Sequence, residues 1–334
     1  MRILVTGGAG YVGSVSVEHL AGKGHDVVVL DSYASARPGA NLAGATVVRG
    51  TYTDRAAVAA LLRGERIEAV LHCGARSLVG ESIREPALYF RENVAGGIAL
   101  LEGMRDAAVE RLVISSTAAV YGVPDAIPIP EDAPLRPINP YGETKRSLEA
   151  AADWFARAYG LRAASLRYFN VAGASATNGE RHEPETHLIP NALRAVAGGE
   201  LLTVFGTDYP TPDGTPIRDY VDVVDLAEAH RLALEATAPG DARTGERLLV
   251  CNLGSGVGFS VREVLAEAER VLGQPIPHVV GERRAGDPPT LVADIGRARE
   301  VLGWVPKRSS LEEMIGSAWA WWSGGGGRGA SERV

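Results

Sequence analysis

Ile3-Leu4-Val5-Thr6-Gly7-Gly8-Ala9-Gly10-Tyr11-Val12-Gly13, at the start of the chain, decides the fold. An apolar run with the look of a strand enters a glycine turn and leaves it as the first residues of a helical pattern. Glycines at 7, 10 and 13 let the turn tighten and let a pyrophosphate approach the backbone. The helix start then offers N–H groups and the positive end of its dipole. The chain holds 40 glycines, so the spacing alone means little; the strand before it and the helix after it make it specific. The spacing Gly7-x-x-Gly10-x-x-Gly13 differs from the G-x-G-x-x-G dinucleotide fingerprint.

Outward from this turn, short apolar runs alternate with longer amphipathic stretches. Ile3–Val5, Val27–Leu30, Ala69–His72 and Leu112–Ser115 read as buried parallel strands, and the segments after Gly10 and over 55–63, 86–107 and 141–159 read as helices. This predicts an α/β fold, a doubly wound parallel sheet of Rossmann type. Beyond Asn170, turns such as Asp208-Tyr209-Pro210-Thr211-Pro212-Asp213-Gly214 break the alternation and predict a second, smaller mixed α/β substrate domain. Spacing assigns 1–170 plus roughly 221–252 to the cofactor domain, with the strand and helix at 221–236 returning to the large sheet, and 171–220 and 253–322 to the substrate domain. The glycine-rich end, 323–334, reads as a loose, flexible tail.

Composition is that of an ordinary globular protein of 334 residues, with 46% hydrophobic and 22% charged residues. The 41 acidic residues against 34 basic ones give a formal charge of −7, which offers nucleic acid and anionic membranes no general attraction. Any phosphate must be met by local groups. Cys73 and Cys251 stand far apart without metal-ligand spacing, so neither a disulfide framework nor a metal is expected, and a reducing compartment fits. No secretory h-region follows Met1-Arg2 and no apolar run approaches the ~18 residues of a membrane span, so the chain reads as cytoplasmic.

Asp31 ends the second strand, eighteen residues past Gly13, where a carboxylate accepts hydrogen bonds from adenosine ribose hydroxyls and repels a 2′-phosphate, favouring NAD over NADP. Asp31-Ser32 is also a common turn pair, and that reading stays open. The most informative pair is Tyr141 and Lys145, whose i, i+4 spacing puts both on one helix face. A phenol with a pKa of about 10 is no base at neutral pH; an ammonium and an oxidised nicotinamide beside it would lower that value. Taken alone, such a tyrosine is as well explained by packing and its lysine by solvation. Ser115-Ser116-Thr117 shifts the balance, because hydroxyls at the carboxyl end of a strand face the ligand crevice of such a sheet.

On these residues the chain resembles the UDP-glucose 4-epimerases of the extended short-chain dehydrogenase/reductase superfamily, from Met1 to about Trp322. Further matching stretches are Val79-Gly80-Glu81-Ser82, Leu166-Arg167-Tyr168-Phe169-Asn170, Phe205-Gly206-Thr207-Asp208-Tyr209-Pro210-Thr211, Arg218-Asp219-Tyr220 and Asn252-Leu253-Gly254-Ser255-Gly256. The resemblance implies NAD, a UDP-hexose substrate and a homodimer. It implies Tyr141 as catalytic base, Lys145 on the nicotinamide ribose, and Thr117, with Ser116 beside it, on the hexose. It groups Gly7, Gly10, Tyr11, Val12, Gly13, Asp31, Arg76, Asn93, Ser115, Tyr168 and Phe169 around NAD, and Asn170, Phe205, Arg218, Tyr220, Arg284 and Asp287 around UDP. A phenylalanine can stack on uracil and arginines fork onto pyrophosphate. Singly, Phe205 also reads as core, Arg218 as a surface pair with Asp219, and Arg76 as a solvated charge.

Departures from the family pattern are Gly50-Thr51, where a Gly-Asp pair often reaches adenine, Cys73, where an aromatic or alanine-like residue is usual, and Arg76, where lysine is common. Leu291, after Gly286-Asp287-Pro288-Pro289-Thr290, is intermediate between the bulky and small residues associated with excluding or admitting an N-acetyl group, so N-acetylated UDP-hexoses stay open beside UDP-glucose and UDP-galactose. The implied reaction inverts C4: the Tyr141 phenolate takes the hydroxyl proton, hydride passes to NAD, and the 4-keto sugar turns over before taking it back. A dehydratase of the same superfamily would need acid and base groups where this chain has Ala118 and Ala119. A non-catalytic NAD-sensing protein would have no use for Tyr141 with Lys145.

Overall fold

The computed structural model describes residues 1–35, 39–198, 201–243, 247–284 and 287–326. In chain order the first part runs β1 (Arg2–Thr6), α1 (Tyr11–Gly22), β2 (Asp26–Asp31), β3 (Ala45–Arg49), α2 (Arg55–Gly64), β4 (Ala69–His72), α3 (Val79–Arg84), α4 (Pro86–Tyr89), a π turn over Phe90–Ala95, α5 (Gly96–Asp106), β5 (Arg111–Thr117), α6 (Pro140–Tyr159) and β6 (Arg162–Tyr168). There follow β7 (Asn170–Ala172), α7 (Leu188–Gly198), β8 (Leu202–Phe205), β9 (Ile217–Asp222), α8 (Val223–Ala236), β10 (Leu249–Leu253), β11 (Gly258–Ser260), α9 (Val261–Leu272), β12 (His278–Gly281), β13 (Thr290–Leu291), α10 (Gly296–Leu302) and α11 (Leu311–Trp321). The helix expected over 86–107 is interrupted by the π turn, a feature that often marks functional regions.

Seven strands form one wholly parallel sheet in the order β3-β2-β1-β4-β5-β6-β10. The order reverses between β1 and β4, so the loop after β1 opens onto the crevice at the carboxyl edge of the sheet. Both faces are covered, which is why β4 reads Ala-Val-Leu-His without alternating polarity. Side chains still alternate between layers: Ile3 and Val5 join one apolar cluster, and Leu4 the other. In the smaller sheets β9 pairs with β7 and β13 in parallel and with β11 antiparallel, while β8 pairs with β12.

One expectation is corrected here. The strand near Val221 does not return to the large sheet. Asn170, Val171 and Ala172, leaving that sheet in β7, pair with Tyr220, Val221 and Asp222, and so capture β9 for the small one. What returns is α8, packed on α1, and β10, paired with β6. The first residues of the stretch read as a loose tail are packed. Ser323 donates to Trp319 O at 2.8 Å, and Gly326 seats so tightly on Trp321 that a Cβ would come within 2.4 Å of the ring. Residues 327–334 lie outside the described residues. No helix among the described residues is long and apolar enough to cross a membrane.

Candidate active site

The glycine turn is held by contacts that a side chain would break. Gly7 has φ +67, and a Cβ there would come 2.6 Å from the Gly74 backbone; a Cβ on Gly13 would come 2.1 Å from Gly7 O. Helix α1 starts after Gly10 with no side-chain cap, so its first N–H groups are left to whatever enters the crevice. One long cleft is lined by Gly7, Gly10, Tyr11, Val12, Gly13, Asp31, Arg76, Thr117, Tyr141, Lys145, Tyr168 and Phe169, and continues past Asn170, Phe205, Arg218, Tyr220, Arg284, Asp287 and Leu291. Gly286, named with Leu291 above, lies outside the described residues.

Asp31 lines the cleft, and its hydrogen bonds are those of the turn reading. Its Oδ1 accepts from Tyr33 N at 2.8 Å, closing the turn at the strand end, and its Oδ2 accepts from Ala9 N at 2.9 Å, tying down the glycine loop. Each oxygen keeps lone-pair capacity toward the cleft.

Helix α6 is started by Asn139, whose side chain accepts from Gly142 N at 2.8 Å, and by Pro140 in its first turn. This brings Tyr141 and Lys145 to the cleft with Thr117 of β5. Lys145 Nζ donates to Ser115 O at 2.7 Å. Burial pulls its pKa down to about 8, against the opposing influence of Cys73 and Glu149. Burial pushes the Tyr141 phenol up to about 12, with the Thr117 hydroxyl opposing. The expected lowering of the phenol is therefore not produced by the chain alone: the loss of hydration outweighs the Thr117 hydrogen bond, and the Lys145 ammonium is turned to the Ser115 carbonyl.

Ser116 is a correction. Residues alternate along β5, so Thr117 reaches the cleft while Ser116 points the other way, fully buried, and donates to Glu149 Oε1 at 2.5 Å. Glu149 is there engaged by Ser165 at 2.8 Å and by Arg167 at 2.7 Å. Ser115 acts through its backbone on Lys145, its hydroxyl lying 2.9 Å from His230 Nε2 and 3.2 Å from Cys73 Sγ. Asn93, in the π turn, sits behind the cleft wall: it bonds Arg76 N and O and Thr144 Oγ1, at 2.8, 3.0 and 3.0 Å, and so fastens the Arg76 loop to α6.

On the far side, Arg218 makes no pair with Asp219, since neighbours on a strand face opposite ways. Arg218 Nη2 bonds Asp287 Oδ1 at 2.5 Å and Pro288 O at 2.7 Å, anchoring the segment that leads to Leu291. Asp219 instead accepts from Ser255 N, Gly256 N and Ala293 N. The Phe205 ring carries the Arg284 guanidinium at 4.1 Å, so one of its faces is occupied by that cation. Sequence reasoning missed Tyr33, Tyr52, Asn139 and the run from Glu180 to His187 in the cleft wall. The last was visible as a cluster of His and Glu, but it sits in a stretch without periodicity.

Residues 3–251 match the NAD dependent epimerase/dehydratase family. The chain is 48% identical over 324 residues to the UDP-glucose 4-epimerase of Lactobacillus helveticus, covering 96% of this chain and 97% of that one. The UDP-glucose 4-epimerase of Brucella ovis, solved in complex with NAD, superposes with a TM-score of 0.90 at 42% identity, covering 96% and 97% of the two chains. That of Bifidobacterium longum, solved with NAD+ and UDP, gives 0.90 at 32% identity, covering 98% and 100%. By this likeness, which spans nearly the whole length of each relative, the chain belongs to the NAD dependent epimerase/dehydratase family and, within it, to the UDP-glucose 4-epimerases.

Proposed function

We propose that the protein interconverts UDP-galactose and UDP-glucose by inversion at C4, keeping NAD in its cleft. The carrying observation is that Tyr141 and Lys145, on successive turns of α6, share one cleft with Thr117, with the Gly7–Gly13 turn and with Arg218 and Arg284 farther along. The residues fit NAD: the open backbone at Gly10 and the uncapped start of α1 suit its pyrophosphate, and Asp31 suits its adenosine ribose. When bound, NAD supplies a hydride acceptor at C4 and a positive charge beside the phenol. Tyr141 Oη then takes the O4 proton and later returns it, Thr117 Oγ1 orients the sugar hydroxyl, and Lys145 is positioned for the nicotinamide ribose. Arg218 and Arg284 supply the local positive charge that a chain of net −7 needs for a diphosphate. Ala118 and Ala119, which hold no proton, favour epimerisation over dehydration.

The test is incubation with UDP-galactose and no added cofactor. UDP-glucose is expected; its absence from protein that carries NAD would sink the reading. Leu291, half-buried in the cleft beside Arg218, supports N-acetylated UDP-hexoses as slower substrates, checked in the same assay. On the sheet pairings we assign 1–170 with roughly 221–252 to the NAD unit, its return beginning at α8, and 171–220 with 253–322 to the UDP-sugar unit. The unpaired Cys73 and Cys251 support a reducing, cytoplasmic setting. Exposed Phe90, Ile98, Trp154 and Tyr159, on α6 and on the helical run from α4 to α5, support a homodimer through these helices, measurable by light scattering.

A further inference from the structure

We propose that Glu180, His182 and His187 form a binding site for a divalent transition-metal ion, with Zn2+ the best fit. The epimerisation uses no such ion, so the site goes beyond that reading. The expectation of no metal drew on cysteine spacing; the fold brings together other residue types. One ligand atom from each of the three lies within 4.8 Å of the others. Two imidazoles and a carboxylate are a donor set that suits Zn2+ and leaves one coordination position open.

Three further features point to an ion. First, His182 Nδ1 is buried and lies 2.7 Å from Glu180 Oε1, yet out of line for a hydrogen bond. Second, Glu185, with 1% of its side chain exposed, sets Oε1 2.7 Å from His187 Nδ1. The same nitrogen lies 3.8 Å from Glu180 Oε2, so His187 Nδ1 is the donor atom turned toward both carboxylates. Third, the other oxygen, Glu185 Oε2, is buried without a partner. Two carboxylates thus sit at one spot in the cleft wall. The adjacent Arg181 turns elsewhere, lying over the Trp321 ring and donating to Ser14 Oγ at 3.3 Å. A divalent cation would satisfy the lone pairs and offset the negative charge.

The experiment uses the full chain with its NAD, treated with a chelator, desalted and dialysed against Zn2+ alone in mildly alkaline buffer, with metal counted by mass spectrometry. One ion per chain is expected. It should survive Cys73→Ser, weaken roughly 10–100-fold in Glu185→Gln, and be lost in His182→Asn/His187→Asn. Co2+ in its place should give visible ligand-field bands without a thiolate charge-transfer band. Should the double variant fail to fold, as judged by circular dichroism, the Co2+ spectrum of the unaltered protein decides. No uptake, uptake equal in the folded double variant, or a thiolate band would overturn the proposal.

Discussion

Tyr141, Lys145 and Glu149 stand at i, i+4 and i+8 on helix α6, and the two ends of that stripe treat ionisable groups in opposite ways. At the inner end, Glu149 is met by Ser116, Ser165 and Arg167, and Arg167 also donates to the Tyr121 hydroxyl at 3.0 Å. Burial works against the Arg167 charge, and Glu149 and Tyr121 more than offset it. At the cleft end Lys145 has the Ser115 carbonyl and Tyr141 the Thr117 hydroxyl, and burial moves each toward its neutral form. A buried charge with a full set of partners is architecture; one left short of them is available to a ligand.

The largest expected effect separates these ends by kinetics. Tyr141→Phe should cut kcat by roughly 10²–10⁴-fold while leaving fold and bound NAD unchanged, the span usual for losing a proton-transfer group. Retained turnover would remove Tyr141 as the base. Next, Glu149→Gln should strand Arg167 and cost about 3–5 kcal/mol in urea denaturation, with kcat of the folded fraction changing far less than in Tyr141→Phe. A stable Glu149→Gln with abolished turnover would reverse the comparison.

A subtler effect concerns Lys145. Its folded pKa of about 8 lies below the ordinary 10.5, so unfolding takes up a proton between those values. The charged form costs stability in full below about pH 8, and the cost fades as pH rises to 10.5. Measured against Lys145→Met, the unaltered protein should therefore gain relative stability across that window. A flat difference would mean that the ammonium is not desolvated. The smallest effect is Ser116→Ala. It should lower stability by about 1 kcal/mol and leave kcat/KM unchanged, since its hydroxyl serves Glu149; a large rise in KM would return it to the hexose.

What was legible in the sequence follows a physical divide. The turn Gly7–Gly13 and the pair Tyr141 and Lys145 are local patterns, fixed by strand-to-helix geometry and by helix periodicity, and both stand where expected. Ser116 depends on the phase of β5. The strand runs on to Thr117, three residues past the last apolar one, Ile114, and alternation then sends Ser116 away from the cleft. Arg218 was not readable for another reason: its partner Asp287 lies 69 positions away, and only the pairing of β13 with β9 brings them together. The same holds for β9 itself, whose composition suits either sheet and whose place is set by β7.

The pairing of β10 with β6, and of α8 with α1, has a consequence for how the molecule comes apart. The polypeptide leaves the nucleotide half, builds much of the other half, and comes back to supply an outer strand and a covering helix. A fragment ending near Asn170 would present β6 as a bare edge and strip the apolar flank of α1, inviting aggregation. No single scission yields two self-sufficient pieces, so the halves are expected to form and melt together, and the catalytic crevice between them is as durable as the whole.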